Sequence, residues 1–149
     1  MSEYQSWLRA QEVRCFELQE SVKDFNLKGK PIITGSEPPI FRLITDGKFI
    51  DFRVREIKTS MVKYIWVSRV DSVVPNVHWI IISKREGDIL YILSDQLTKK
   101  GERRQSDFKR DQYWYVAERG LCKNFSVFLR RQQKQIEKDK QKVLTKWFA

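Results

Sequence analysis

Cysteine, histidine and long apolar runs are all scarce in this chain, and each scarcity removes a class of function. The two cysteines, Cys15 and Cys122, lie far apart in stretches that read as helical and lack the paired spacing of a zinc site, so they are expected as buried thiols. The one histidine, His78, sits inside an apolar run and reads as a satisfied interior or edge residue rather than a general base. No apolar stretch approaches the roughly 20 residues that span a bilayer, and Met1 to Trp7 carry no basic segment followed by a hydrophobic one. The expectation is a cytoplasmic protein, of bacterial, phage or archaeal type, without a membrane partner. Internal repeats and low-complexity linkers are also lacking, and 149 residues give room for one domain, 1–149, with a core over 1–97 and a basic, aromatic tail over 98–149.

Negative charge is the remaining shortage. Asp and Glu total 19 against 29 Lys and Arg, a net charge of +10 with a pI near 9.7. Such a surface attracts polyanions through counterion release and Coulomb steering. Without a lipid anchor or an apolar insertion helix, double-stranded DNA fits it better than a membrane does. Hydrophobic residues at 41% are enough to bury a core, which excludes a disordered chain.

Apolar residues Tyr4, Leu8, Cys15, Leu18, Val22 and Phe25 recur at helical spacing, predicting an amphipathic helix over Ser2 to Phe25, capped by Ser2 or Ser6 and ended by Gly29 and Pro31. Extended pieces follow at Ile32-Ile33 and Ile40 to Ile44. Asp46-Gly47 is a strong signal for a two-residue hairpin turn, since both central positions of a type I′ turn need positive φ, and a strand from Lys48 to Lys58 leaves it. Further strands are expected at Lys63 to Val70, Val77 to Lys84 and, after a turn at Glu86-Gly87-Asp88, Ile89 to Leu93. The last two are apolar on both faces and so should be covered on both sides by helices. A C-terminal helix is expected over Asn124 to Phe148. The order reads as an α/β (α+β) layer fold with a central mixed sheet of about five strands.

The residues that carry chemistry lie at the end of the long strand. In Glu56-Ile57-Lys58 the acid and the lysine project from the same face. Phosphodiester hydrolysis with Mg²⁺ uses such a pair, a carboxylate for the ion and a lysine for the attacking hydroxide and the developing charge, together with a second carboxylate. A two-residue turn at Asp46-Gly47 sets opposed residues at numbers summing to 46 + 47 = 93, which places Glu37 across from Glu56, about 5 Å away at Cβ. Asp51 falls on the other face and Asp46 in the turn. The alternative for Glu56 and Lys58 is a cross-strand salt bridge on a solvated face, and for Glu37 a polar loop position before two prolines.

In these features the chain resembles the PD-(D/E)XK, or restriction-endonuclease-like, nuclease superfamily of restriction enzymes, Holliday-junction resolvases and some homing endonucleases. The resemblance covers the first two thirds: the helix, the hairpin, Glu56-Ile57-Lys58 with Thr59-Ser60, and the strands up to Leu93. It implies that Glu56 is a metal ligand, Lys58 the catalytic lysine and Glu37 the second ligand, with Mg²⁺ as cofactor and Mn²⁺ as a substitute. The family's usual residue at the second ligand is Asp following Pro, whereas this chain has Ser36-Glu37-Pro38-Pro39. Some members add an acid from the first helix, and Glu12 holds that place, on the face of Leu8 and Phe16; a charge at the rim of the apolar stripe is the alternative.

From Lys99 to Tyr115 the chain is basic and aromatic. Lys99, Lys100, Arg103, Arg104, Lys109, Arg110 and Tyr113 suit phosphate contact with stacking, and equally a solvated loop and helix beside a core strand. The terminal helix repeats Leu129, Ile136 and Val143 every seven residues, a stripe fit for a two-fold homodimer or for docking on its own sheet. The expected function is a Mg²⁺-dependent DNA endonuclease, site-specific or junction-resolving; the alternative is a DNA-binding or inhibitory protein on the same fold with a degraded site.

Overall fold

The computed structural model describes residues 2–57, 63–85 and 87–148. Helix α1 (Glu3–Ser21) begins at Ser2, whose hydroxyl accepts the Gln5 N–H while the Gln5 side chain accepts the Ser2 N–H, a reciprocal capping box. A 3₁₀ turn (Val22–Phe25) follows, and Asn26 in the left-handed region (φ 56°) ends it. Gly29 and Pro31, expected to stop the helix, instead lie in strand β1 (Lys28–Ile32).

The hairpin of β2 (Ile40–Thr45) and β3 (Lys48–Ile57) has the expected register, from Thr45 opposite Lys48 to Ile40 opposite Arg53, every pair summing to 93. Asp46 and Gly47 both have positive φ, 47° and 78°. The ladder stops at Ile40, so Glu37 is not paired with Glu56 as the register alone implied. The reason is chemical: Pro38 and Pro39 have no N–H to give to a strand partner. Lys58 and Glu86 lie outside the described residues.

The chain next forms β4 (Tyr64–Arg69), β5 (Val77–Ser83), β6 (Ile89–Ile92), α2 (Ser94–Lys100), β7 (Glu102–Gln105), β8 (Tyr113–Glu118), β9 (Lys123–Asn124) and α3 (Phe125–Phe148). The main sheet is mixed, in the order β1-β2-β3-β5-β6-β9, with β3 and β5 parallel. A second, three-stranded sheet runs β4-β8-β7. The expectation of one sheet of about five strands was therefore too simple: β4 leaves the sheet of its sequence neighbours, and the basic segment holds two strands. Cys122 follows a short 3₁₀ turn rather than lying in a helix.

Alternation on β3, β5 and β6 produces two cores, one on each face of the main sheet. Phe52, Val54, Ile80 and Tyr91 meet Cys15 and Leu18 of α1 and Phe125, Phe128 and Leu129 of α3. Phe52 is the hub of an aromatic cluster, edge-on to Phe125 and Phe128 at 5.3 and 5.6 Å. On the other face Trp79, Ile81, Leu90 and Ile92 meet Ile65 and Val67 of β4, Leu97 of α2 and Ala117 of β8. The two-sided apolar strands are thus covered on both faces, but on one face by a second sheet together with α2 rather than by helices alone. The first turns of α3 dock on the sheet. Its distal half leaves Val143, Leu144 and Trp147 in solvent, Trp147 at 79% exposure. No helix among the described residues is long and apolar enough to cross a membrane.

Close packing sets one clear mutational contrast. A Cβ at Gly29 would stand 2.1 Å from Cζ of Phe41, a ring with no exposed surface into which it can swing, whereas a Cβ at Gly120 meets nothing within 4 Å. Gly29→Ala is expected to destabilise the fold by about 1–3 kcal/mol, as overpacking does. Gly120→Ala should stay within about 0.5 kcal/mol of the parent. Urea unfolding midpoints of the three proteins check both.

Candidate functional site

Because β2 ends at Ile40, the last four residues of β3, Val54–Ile57, run on with an edge that β2 does not cover. Gln11 of α1 takes over part of the missing strand's role: its Oε1 accepts the Glu56 N–H at 2.9 Å, and its Nε2 donates to the Trp7 carbonyl at 3.3 Å. Gln11 is only 1% exposed, so this pairing satisfies amides that would otherwise be buried alone. The sequence carried a trace of it, since the apolar stripe on α1 skips from Leu8 to Cys15 and Gln11 fills the missing turn.

Along this edge lies a cleft of about 600 Å³ between α1, the loop before β2 and the second sheet. Tyr4 and Trp7 of α1, stacked on one another at 6.1 Å, form one wall. Glu37 and Pro38 form another, held by the Tyr4 hydroxyl donating to the Ser36 carbonyl at 3.0 Å and by the Glu37 N–H donating to Thr34 Oγ1 at 3.2 Å. Arg53, Arg55 and Glu56 come from β3, Arg69 and Asp71 from the end of β4 and beyond, Trp79 from β5 and Trp114 from β8.

The charges in the cleft are largely matched. Glu56 points to the α1 side and pairs with Nε of Arg14, which also holds Glu17 at 2.8 Å. The hydrogen bond to Glu56, ahead of that to Glu17, raises the Arg14 guanidinium above its ordinary range. Arg69 holds Asp71 at 3.2 Å. Arg55 points to the other face, donates to the Trp66 and Val67 carbonyls at 2.7 and 2.9 Å, and lies over the Trp114 ring at 4.6 Å. Burial pushes its pKa down to about 10, so it stays charged at neutral pH. Glu37 is exposed and makes no ion pair among the described residues.

Glu37 and Glu56 therefore share one cleft although the ladder does not oppose them. Glu12 does not join them. It lines a separate groove with Gln5, Leu8, Arg9, Ile33 and Gly35. Phe16 is 52% exposed, so Leu8, Glu12 and Phe16 are not the face turned toward the body; Leu8, Gln11, Cys15 and Leu18 are. Gln11 and Arg14 are the α1 residues that reach Glu56, and sequence reasoning missed both. Among the described residues no group of three or more His, Cys, Asp or Glu side chains is gathered as a metal centre.

The basic residues of the tail fall on a second region. Lys99 and Lys100 end α2, Arg103 and Arg104 lie on β7, Lys109 and Arg110 in the loop before β8, and the half-exposed Tyr113 opens β8. Arg104 is already engaged, over the Tyr64 ring at 4.3 Å and with Glu102 at 2.7 Å. Trp114 lines the cleft and Tyr115 packs against the second core. Burial pushes the Cys15 and Cys122 thiols up to about 12 and about 11, as expected of unreactive interior cysteines. No family model, curated protein or solved structure matches the chain.

His78 lies outside the cleft and makes a clean pH probe, being the one histidine of the chain. Its Nδ1 accepts the Ser94 N–H at 3.0 Å and its ring tilts against Phe52 at 5.7 Å. Burial lowers its pKa, while Asp95 and Asp51 act in the opposite sense. Since the folded pKa lies below the unfolded value of about 6.5, the unfolded chain binds more protons between the two, and stability rises with pH there. The His78 contribution is fully present above about pH 6.5 and is lost as the pH falls through the folded value. Melting temperatures recorded from pH 8 to pH 5 should show an acid-side decline that is shallower in His78→Gln.

Proposed function

We propose that this chain is a Mg²⁺-dependent DNA endonuclease on a restriction-endonuclease-like core, hydrolysing phosphodiester bonds in the cleft along β3. The observation that carries the reading is that the open end of β3 brings Glu56 and Glu37 into one cleft, on a chain with a net charge of +10. The donor set suits Mg²⁺ in kind and number, since that ion takes one or two carboxylates from protein and leaves the rest of its shell to water and phosphate. When bound, the ion supplies Lewis-acid stabilisation of the phosphoryl oxygens and a more acidic water.

The chain's own groups have separable tasks in this reading. Gln11 fixes the backbone at Glu56, and Arg14 keeps the carboxylate neutralised until a cation takes its place. Glu37, on the loop held by Tyr4, supplies the second negative charge from the opposite wall. Lys58, two residues after Glu56 in sequence, is assigned to the attacking water and the developing charge. Lys99, Lys100, Arg103, Lys109, Arg110 and Tyr113 hold the duplex by its phosphates. A duplex has two strands to cut, and the exposed Val143, Leu144 and Trp147 of α3 are the surface on which a second copy would seat to supply the second site.

The Arg14–Glu56 ion pair favours a second reading, a DNA-binding protein whose site is degraded, because an arginine held on the key carboxylate competes with any cation. Supercoiled plasmid incubated with Mg²⁺ or with EDTA separates the two. Mg²⁺-dependent nicking is expected, reduced on the order of 10²–10⁴-fold in Lys58→Ala, Glu56→Gln and Glu37→Gln, the range for one positioned group. Duplex binding should survive in all three. Binding without nicking in the parent leaves the degraded-site reading.

The DNA interface has its own test. If six or more phosphates are neutralised, affinity for duplex falls about 10³-fold between about 50 and 200 mM salt. An affinity that stays level across that range, measured by anisotropy, rules the interface out.

A further inference from the structure

Two donors in the cleft are buried with no hydrogen-bond partner among the described residues: Nε of Arg53 and Nε1 of Trp79. They are not scattered. Arg53 on β3 and Trp79 on β5 are direct partners in the parallel ladder, so they stand side by side on the same face of the sheet, and both line the cleft. Trp79 is 7% exposed, and the hydrogen bond found for Arg53 is a long one, 3.3 Å from Nη1 to the Pro38 carbonyl. Folded chains rarely leave a buried N–H unsatisfied, because the group loses its water without gaining an acceptor. Two adjacent ones on a cleft floor call for the same kind of atom, an oxygen acceptor.

The surroundings narrow the acceptor to an anionic oxygen. Arg53 is a cation, and Arg55 and Arg69 line the same cleft, while two of its three carboxylates are already paired, Glu56 with Arg14 and Asp71 with Arg69. An indole N–H beside a guanidinium offers two N–H groups to a tetrahedral oxyanion, and an arginine-lined recess favours phosphate. The ring faces of Tyr4, Trp7 and Trp114 in the same walls suit a stacked base. We infer that Arg53 and Trp79 form a phosphate-oxygen subsite on the floor of the cleft, on the sheet face opposite to the one Glu56 takes, which holds a phosphate of a nucleic-acid strand. The inference rests on the cleft being the substrate site of the proposed function, and it adds residues outside the acid and lysine set.

The test needs no metal and no cleavage. Five tryptophans give five indole N–H resonances in ¹⁵N-labelled protein, and the one missing in Trp79→Phe belongs to Trp79; its contact with the Ile92 methyls across the β5–β6 ladder identifies it independently should that variant not fold. In EDTA, one sample is titrated with inorganic phosphate and another with single-stranded trithymidylate. The Trp79 resonance is expected to move saturably, and Arg53→Lys, which keeps the charge but removes Nε, should weaken the midpoint about tenfold, as loss of one charge-assisted hydrogen bond does. A tighter midpoint for trithymidylate assigns the subsite to a nucleic-acid backbone. Equal midpoints overturn that assignment in favour of free phosphate. A Trp79 resonance fixed in both titrations, or a midpoint unchanged by Arg53→Lys, overturns the subsite. Plasmid nicking alongside a fixed Trp79 resonance leaves the nuclease reading standing without it, and a moving resonance without nicking leaves the subsite standing without the nuclease.

Discussion

Pro38 and Pro39 decide how far β2 can accompany β3, and the rest of the cleft follows from that limit. A strand partner must donate N–H groups, and two consecutive prolines have none, so the ladder closes at Ile40 opposite Arg53. The β5 side has no such limit: β3 stays paired there from Asp51 to Ile57. The same four residues, Val54 to Ile57, are thereby held rigidly on one edge and left uncovered by β2 on the other. A rigid strand with an open edge places side chains more accurately than a loop does. Gln11 then covers the Glu56 N–H from α1, which ties the position of the first helix to the open edge.

Alternation along β3 divides that edge between two environments. Phe52, Val54 and Glu56 face the helices, where Arg14 meets Glu56; Arg53 and Arg55 face the second sheet, where Arg55 is pinned over Trp114. Acid and base are thus separated by the sheet itself, although they are neighbours in sequence. This spares the cleft an Arg55–Glu56 pairing and leaves Arg53 beside Trp79. The second sheet, β4-β8-β7, matters for the same reason: it supplies Trp114 and the end of β4 as one cleft wall while carrying Arg103 and Arg104 on its outer strand.

The hairpin that carries Glu56 was legible from local rules, and the departures around it trace to particular residues. The hairpin register came through because the turn needed only positive φ at Asp46 and Gly47. Extrapolating that register to Glu37 failed, because the prolines that end the ladder lie between Glu37 and Ile40; the loop still returns Glu37 to the cleft, stapled through Ser36 to Tyr4. The choice of Glu12 failed by one helical position. Spacing of four from Leu8 is as good as spacing of three, and only packing against β3 shows that Gln11 is the inward residue.

The sequence by itself determined the first and last helices and the strands from β2 to β6, the β2–β3 register, the two-faced burial of β5 and β6 and the excess of positive charge, because each depends on residues within a few positions of one another or on a simple count. Tertiary structure alone decided that β4 joins β8 rather than its neighbours, that Arg14 reaches Glu56 and that Arg53 stands beside Trp79. Those contacts join residues dozens of positions apart. They depend on which strands pair once the apolar faces are buried together, and no local pattern specifies that choice.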